Sequence, residues 1–593
     1  MKKQNHAILS ILSLSLLLSC AGNDDSGLFD PNVDRIESIR SQGQLLLKAE
    51  EGNQALTLYF EADTVSLSTE AYINCTVQKE NWTTELRLSD NRTLQLPTLG
   101  TSLGIKRENI ALNVSGYAPL SAQVDLSLPI EGRVKVDING LTDTLCSVSH
   151  VSDKYGYNHV VDIHGLYPAT SNKVYISLTD KAGSVRLTDS IDIQTQSIES
   201  ILLPRIAIKT CDKQKLDGHF IFVNYLGESE VDPICPFVMD SDGSIRWLLS
   251  LKQHPKLGNL NGGCGFHRLR NGNFVCGDVI SGMIFEINLW GEVVNEWSLR
   301  SKGYEFHHEI IEIPSGNFIV TVSKTNSYHL SGVATIEDVI VELDRQTGNV
   351  VREWDLKESL DEYRNLLKSP AIPGYNDWAH CNAVLYDEKD NTLIVSSRFQ
   401  GLIKLTMDNT PVWIASPHKG WGQNRKGMSL AGNLLNPIAE KGNPITDATV
   451  LQGDANMPGF DWSWGGHNPV LLPDGSILMF DNGFTRCYKD DKLYSRAVIY
   501  KIDETNKTIR QEWSYGAQRG EETYAWAVSG VQYLPRTDHV LFCPGIDTPN
   551  SNGVGGKIIE IDRATNQVCF EAHLSTYCKI AFHRAFKQSI YNN

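Results

Sequence analysis

The sequence predicts an all-β protein whose largest part is a six-bladed β-propeller. Three observations predict it. Helical periodicity is scarce, and most segments are short β-branched or aromatic runs alternating with polar residues and closed by Gly, Asn or Asp. From about residue 199 a phrase of turn, alternating strand and terminal aromatic recurs. Between its copies a second phrase, strand–turn–strand, recurs as well.

At 593 residues the chain exceeds one ordinary core, so several domains are expected. With 41% apolar and 21% charged residues it belongs among globular chains rather than disordered ones. A formal charge of −16 argues against a nucleic-acid partner, which needs clustered Lys and Arg, but leaves an anionic small substrate open.

The elements follow in order. Lys2 and Lys3, the apolar run Ala7–Leu18 and Ser19 read as a signal peptide over 1–19, too short to span a membrane. Leu17-Leu18-Ser19-Cys20 resembles a bacterial lipobox, which implies cleavage before Cys20, lipidation of that cysteine and a lipid-anchored tether over 20–43. The expected location is an exported, outer-membrane lipoprotein, with its periplasmic or surface face left open. Residues 44–110 read as an accessory β-domain (LTLYF, TVSLS, TELRLS), and 111–198 as an Ig-like β-sandwich of short strands. The remainder, 199–593, is the propeller. Its first phrase ends at Trp247, Trp297, Trp354, Trp413, Trp513 and Phe570, with gaps of 50, 57, 59, 100 and 57 residues. The gap of 100 holds the Gly/Asn/Pro-rich stretch 416–459, read as an excursion from one blade. Eleven cysteines follow Cys20 without a C-x-x-C pair, so neither a zinc site nor a disulfide framework is indicated.

Aligning the turns of the second phrase (LRNGNFVCG, IEIPSGNFIVTVS, VLYDEKDNTLIVSS, VLLPDGSILMFDN, VQYLPRTDHVLFCPG) puts Cys264, His308, Cys381 with His380 beside it, His467 and Ser529 in one column. In a propeller such positions ring the central channel. Three blades thus offer His307-His308-Glu309, His380-Cys381-Asn382 and His467-Asn468, with Arg398 at the end of the return strand after His380. Three imidazoles suit a Zn²⁺ ion, but Arg398 would repel it. Arg and protonated His suit a tetrahedral oxyanion, with a neutral His as nucleophile, and this anion reading is favoured. No metal ligand set and no cofactor is assigned. The sequence carries no sulfatase Cys/Ser-x-Pro-x-Arg motif and no G-x-x-x-x-G-K-[ST] nucleotide loop, so the nucleotide sulfate donor PAPS is not indicated.

From about residue 112 onward the chain resembles the bacterial PAPS-independent arylsulfate sulfotransferases. The resemblance rests on GYAPLSA, HGLYPATSNKVYISLTDKAG, HHE, H-x-N with an Arg eighteen residues beyond the His, W-x-x-x-x-H-N before LLPDG, and the closing HRAF. It implies ping-pong transfer from an aryl sulfate donor to an acceptor phenol through a sulfohistidine. Position by position, His467 matches the nucleophile and His308, with His307 as the neighbouring alternative, the first sulfuryl-binding His. His380, Asn382 and Arg398 match the second His, the Asn and the Arg of the anion pocket, and Ser529 a small hydroxyl residue. His308 and His380 share the general acid–base role as alternatives. Trp462 and Trp464 either flank the aryl ring or pack between blades. Some members carry a short-range cysteine pair ahead of the nucleophile, whereas 446–464 contains no cysteine here. Two rival readings are a metal-dependent propeller hydrolase or lyase and a surface-tethered, non-enzymatic binding propeller. A homodimer is left open.

Overall fold

The computed structural model describes residues 30–227, 233–260, 265–367, 372–489, 491, 493–576 and 580–592. The signal peptide, Cys20 and Cys264 lie outside them. The chain divides into two compact units, residues 1–104 with 128–131, and 105–127 with 132–593.

In the smaller unit, part of the stretch expected as a tether is instead a helix, Pro31–Ser41. Asp30 caps it, accepting the Asn32 N–H at 2.9 Å, and Pro31 at the first helical position needs no amide partner. Val33, Ile36 and Ile39 fall on one face and are buried, so this segment is pulled into the core rather than left as a spacer. They pack with two three-stranded antiparallel meanders, Leu46–Glu51/Ala55–Phe60/Thr64–Ser68 and Tyr72–Gln78/Thr83–Leu88/Thr93–Pro97. Strict alternation in Ala55–Phe60 and Thr64–Ser68 sends every second side chain inward.

The sandwich is organised by one 18-residue strand, Ser121–Ile138, which belongs to the larger unit except for residues 128–131. Its first half pairs with Gly156–His164 and its second half with Ser171–Thr179. Among the described residues, six sheets of four or more strands follow, antiparallel but for one edge strand of the fifth. The first joins Phe220–Tyr225, Phe237–Asp240 and Ile245–Leu248 to the C-terminal strand Phe582–Lys587. The sixth joins Gly530–Leu534, His539–Cys543, Gly553–Asp562 and Val568–Thr576 to Arg205–Cys211. Each end of this region thus completes a sheet made from the other end. Inner strands of successive sheets pack on one another, from Tyr304–Glu312 through Cys381–Asp387, His467–Leu471 and Gly530–Leu534 to Phe582–Lys587, and Tyr304–Glu312 packs also on Phe274–Asp278, the second strand of its own sheet.

The recurring aromatic has a physical reason. The indole N–H of Trp247, Trp297, Trp354, Trp413 and Trp513 reaches the turn between the third and fourth strands of the next sheet. It donates to Leu289 O, Arg345 O, Thr406 O, Glu504 Oε1 and Asn566 Oδ1 at 2.9–3.1 Å. Each large ring buries area between neighbouring sheets while its one polar atom is satisfied at a fixed register. The stretch 416–459 leaves the fourth sheet after Pro411–Ala415 and adds a parallel edge strand, Asn436–Ile438, to the fifth.

Candidate active site

His467 opens the inner strand of the fifth sheet and is buried. Its Nδ1 lies 2.8 Å from Asn482 Oδ1, at the end of the paired return strand. The Asn482 amide nitrogen donates to Ala525 O at 2.7 Å and Val528 O at 3.2 Å, so its oxygen must be the atom facing the ring. An amide oxygen only accepts, hence Nδ1 carries the proton and Nε2 is the bare nitrogen. Burial first, and then Arg398 and His308, hold the His467 pKa well below the ordinary value, so the ring is neutral at physiological pH.

The approach to His467 requires glycine. Gly465 has φ +66°, and a Cβ there would sit 2.9 Å from Phe484 Cβ. At Gly466 a Cβ would meet Met479 Cε at 2.3 Å and Ser463 Oγ at 2.7 Å. The Gly466 carbonyl accepts from Asn382 Nδ2 at 2.9 Å and Ser396 Oγ at 2.8 Å, so Asn382 acts on the loop that carries His467.

Arg398 and His380 close the mouth of one hairpin in the fourth sheet, where Arg398 N donates to His380 O at 2.9 Å; this is why they lie eighteen residues apart. The buried Arg398 guanidinium stacks over Phe484, 4.4 Å from the ring centroid, and donates to Trp526 O at 3.0 Å. Its Nε has no hydrogen-bond partner among the described residues. Burial lowers its pKa to about 10, which leaves it cationic at neutral pH.

His308 (φ 50°) and His380 (φ 49°) are in the left-handed region, as are Asn468 (φ 49°) and Ser529 (φ 82°). A regular strand points neighbouring side chains to opposite faces. The kink at His308 breaks that alternation, so His307 and His308 meet with their Nδ1 atoms 3.1 Å apart. Both alternatives for the first histidine therefore belong to the cluster. The His308 ring lies 5.0 Å from His380 and 6.5 Å from His583, centroid to centroid.

Charge separates these imidazoles. His380 Nδ1 is 2.7 Å from both Glu337 Oε2 and Asp377 Oδ2. Burial works against its charge, but the two carboxylates outweigh it and lift the pKa to about 9. His308 is held well below the ordinary value by burial and the neighbouring His380, and His583 is pushed down to about 3 by burial and Arg584. One imidazolium thus stands among neutral rings.

The stability consequence has two signs. His380, raised in the fold, contributes stability that is complete below about pH 6.5 and is lost as pH rises through about 9. His308, His467 and His583, depressed in the fold, cost stability as pH falls below about 6.5, because the unfolded chain takes up those protons first. Thermal melts across this range should show both limbs, and His380→Gln should flatten the alkaline one. An unchanged alkaline limb in that variant would assign it to another group.

Four residues singled out in the sequence turn their side chains to other work, although the Ser529 amide donates to His583 O at 3.0 Å. Trp464 follows the packing alternative: it is buried in the core between the fourth and fifth sheets, its indole N–H on Asp461 Oδ1 at 3.2 Å and its ring edge-on to Tyr488. Trp462 is likewise buried, bonded to Val450 O. The Ser529 hydroxyl is committed to backbone, donating to Ala527 O at 3.0 Å and accepting from Gly545 N at 2.9 Å. Cys381, placed in the column, points into the apolar core, and His380 takes its place. Sequence reasoning passed over Asn482, Glu337, Asp377 and His583. The last stands in the quoted HRAF, and Asn482 ends the quoted ILMFDN. Glu337 and Asp377 come from non-repeating connections that no periodicity marks.

The arylsulfotransferase (ASST) family model matches residues 206–583, and its Ig-like domain model matches 109–196. The chain is 29% identical over 546 residues to arylsulfate sulfotransferase AssT of Lelliottia amnigena, covering 78% of this chain and 89% of that protein. It is 28% identical over 548 residues to arylsulfate sulfotransferase AssT of Escherichia coli O6:H1, covering 77% and 88%. Matched from the strand that completes the sixth sheet to His583, with the histidine–arginine cluster inside the matched span, the chain belongs to the arylsulfotransferase family.

Proposed function

We propose that this sulfotransferase moves a sulfuryl group from an aryl sulfate to an acceptor phenol without PAPS, in ping-pong order, through a sulfohistidine at His467. The observation that carries the reading is a neutral, tautomer-locked imidazole with a bare Nε2 that feels a buried guanidinium and His308, whose ring lies 5.0 Å from the imidazolium of His380. Nε2 attacks sulfur, the S–O bond to the aryl oxygen breaks, and its electron pair leaves on the phenolate. Arg398 holds the sulfuryl oxygens, whose charge grows in the transition state. His380, the protonated ring, gives its proton to the phenolate through Nε2, since its Nδ1 faces carboxylates. In the second half, neutral His380 takes the proton of the incoming phenol, whose oxygen attacks the sulfur and frees His467. Glu337 and Asp377 keep the His380 pKa close to that of a phenol, which suits both directions. The six sheets form the blades whose inner strands bring these groups to one axis. The N-terminus, on this reading, anchors the enzyme to the outer membrane by lipid at Cys20.

A second reading has its own support. Ligand atoms of His307, His308 and Glu337, and of Glu337, Asp377 and His380, lie within 4.8 Å of one another in each group, as a metal-dependent hydrolase or lyase would need. One experiment separates the two. The full chain is given a chromogenic aryl sulfate, with and without added phenol and with and without chelator. Transfer predicts colour release that depends on the phenol and ignores the chelator. Mass spectrometry after quenching with donor alone should find SO₃ on the His467 peptide and acyl groups on Cys20. Acceptor-independent release abolished by chelator would replace transfer with the metal reading.

A further inference from the structure

Behind His467 lies a second cluster of charge, wholly internal. Asp461, Asp481, Arg486 and Arg496 are all buried. The Arg486 fork spans both carboxylates, donating through Nη1 to Asp461 Oδ2 and through Nη2 to Asp481 Oδ2 at 3.0 Å. Arg496 Nε donates to Asp481 Oδ2 at 2.7 Å, and its Nη2 to the carbonyls of Asp461 and Trp462 at 3.0 and 3.2 Å.

Every one of these groups holds the loop leading to the nucleophile. Asp481 Oδ1 accepts the Trp464 amide at 2.8 Å, and Asp461 Oδ1 accepts the Trp464 indole. Tyr500 donates to Asp461 O at 2.6 Å and Tyr494 to Asp461 Oδ2 at 3.1 Å. Asp481 is followed directly by Asn482, the residue that sets the His467 tautomer. The turn that delivers Arg486 is itself strained. Thr485, Cys487 and Tyr488 have φ of 48°, 55° and 58°, which non-glycine residues adopt only where surrounding contacts compel it. Stability alone does not account for four buried charges and a strained turn on this buried loop, since buried ion pairs are weak stabilisers.

We infer that this two-aspartate, two-arginine clasp is a positioning device for His467: through the loop 461–464 and through Asn482 it fixes where Nε2 lies and which nitrogen is bare. The inference rests on His467 being the nucleophile. Directional bonds from two forks define a position, whereas apolar packing of equal volume defines only a shape.

The test removes the directional bonds while leaving no buried charge unpaired across the first bridge. The double variant Asp461→Leu/Arg486→Met should still fold, because apolar replacement of a buried pair is often neutral, with a melting temperature lowered by the loss of the acceptor for the Trp464 indole and the Tyr494 hydroxyl. Its kcat should fall about 100-fold, the cost of misplacing a reacting atom by about 1 Å, with KM for the aryl sulfate unchanged. In ¹⁵N NMR of histidine-labelled protein, the His467 ring should change from a single Nδ1–H form to a mixture of tautomers. Wild-type kcat together with a single tautomer would overturn the inference and leave the clasp purely structural. Should the double variant fail to fold, Arg486→Lys decides instead. One ammonium cannot span both carboxylates as the fork does, so kcat and the tautomer should both shift, and full retention of both would overturn the inference. The NMR measurement needs no substrate. A wild-type enzyme that transfers nothing would therefore defeat the functional reading while the tautomer still decides the clasp.

Discussion

His467→Asn lowers turnover by about 10³-fold or more, the loss expected when a covalent nucleophile is removed. The substitution is chosen for its shape. A carboxamide keeps a group able to donate to Asn482 Oδ1, so the loop and the return strand stay in place. What it lacks is an sp² nitrogen with a free lone pair, since amide nitrogen is delocalised and carries none to give sulfur. Donor binding, which depends on Arg398 and the neighbouring rings, persists, so kcat falls and KM does not rise in proportion. Steady-state release from a chromogenic aryl sulfate measures the loss, and mass spectrometry of donor-quenched protein should find no SO₃ adduct on that peptide. Turnover near the wild-type value would remove His467 from the nucleophilic role.

Arg398→Met lowers kcat by about 10²–10³-fold, the range for deleting one fixed donor aimed at developing oxyanion charge. Methionine keeps much of the apolar contact with Phe484 and removes the charge. The guanidinium is also the second-largest cause, after burial, of the depressed His467 pKa. Without it that pKa moves up toward the ordinary imidazole value. The acid limb of the rate profile then shifts to higher pH, because a protonated ring has no lone pair to attack with. A kcat–pH series on wild type and variant reads both effects. Unchanged kcat with a raised KM would make Arg398 a uniform binding group rather than a transition-state one.

Much of this architecture was legible without coordinates. The strand-end aromatics repeat because each performs the same local task, latching its sheet to the next turn, and a repeated task leaves a repeated residue. The conversion of part of the expected tether into a helix was also within reach, as Asp30-Pro31 ahead of Val33, Ile36 and Ile39 is a cap followed by an apolar face. For Trp464, where packing between blades was the other alternative, and for Ser529, the position was legible and the side-chain direction was not. Trp464 stands three residues before His467 and Ser529 shares its turn column, but side-chain direction at both follows from backbone kinks and from partners in other segments.

Residue order alone was enough for the all-β class, the repeating sheets, and the histidines and arginine that meet in the cluster, since those are written as periods and short motifs. Only the folded chain decided which nitrogen of His467 is bare, which histidine carries the proton, and that four buried charges brace the loop. The tautomer depends on an Asn482 amide oriented by carbonyls of Ala525 and Val528, and the proton on carboxylates from two separate connections. Apart from Asp377, three residues before His380, these contacts join segments dozens of residues apart, and hydrogen-bond direction across that distance leaves no local pattern to read.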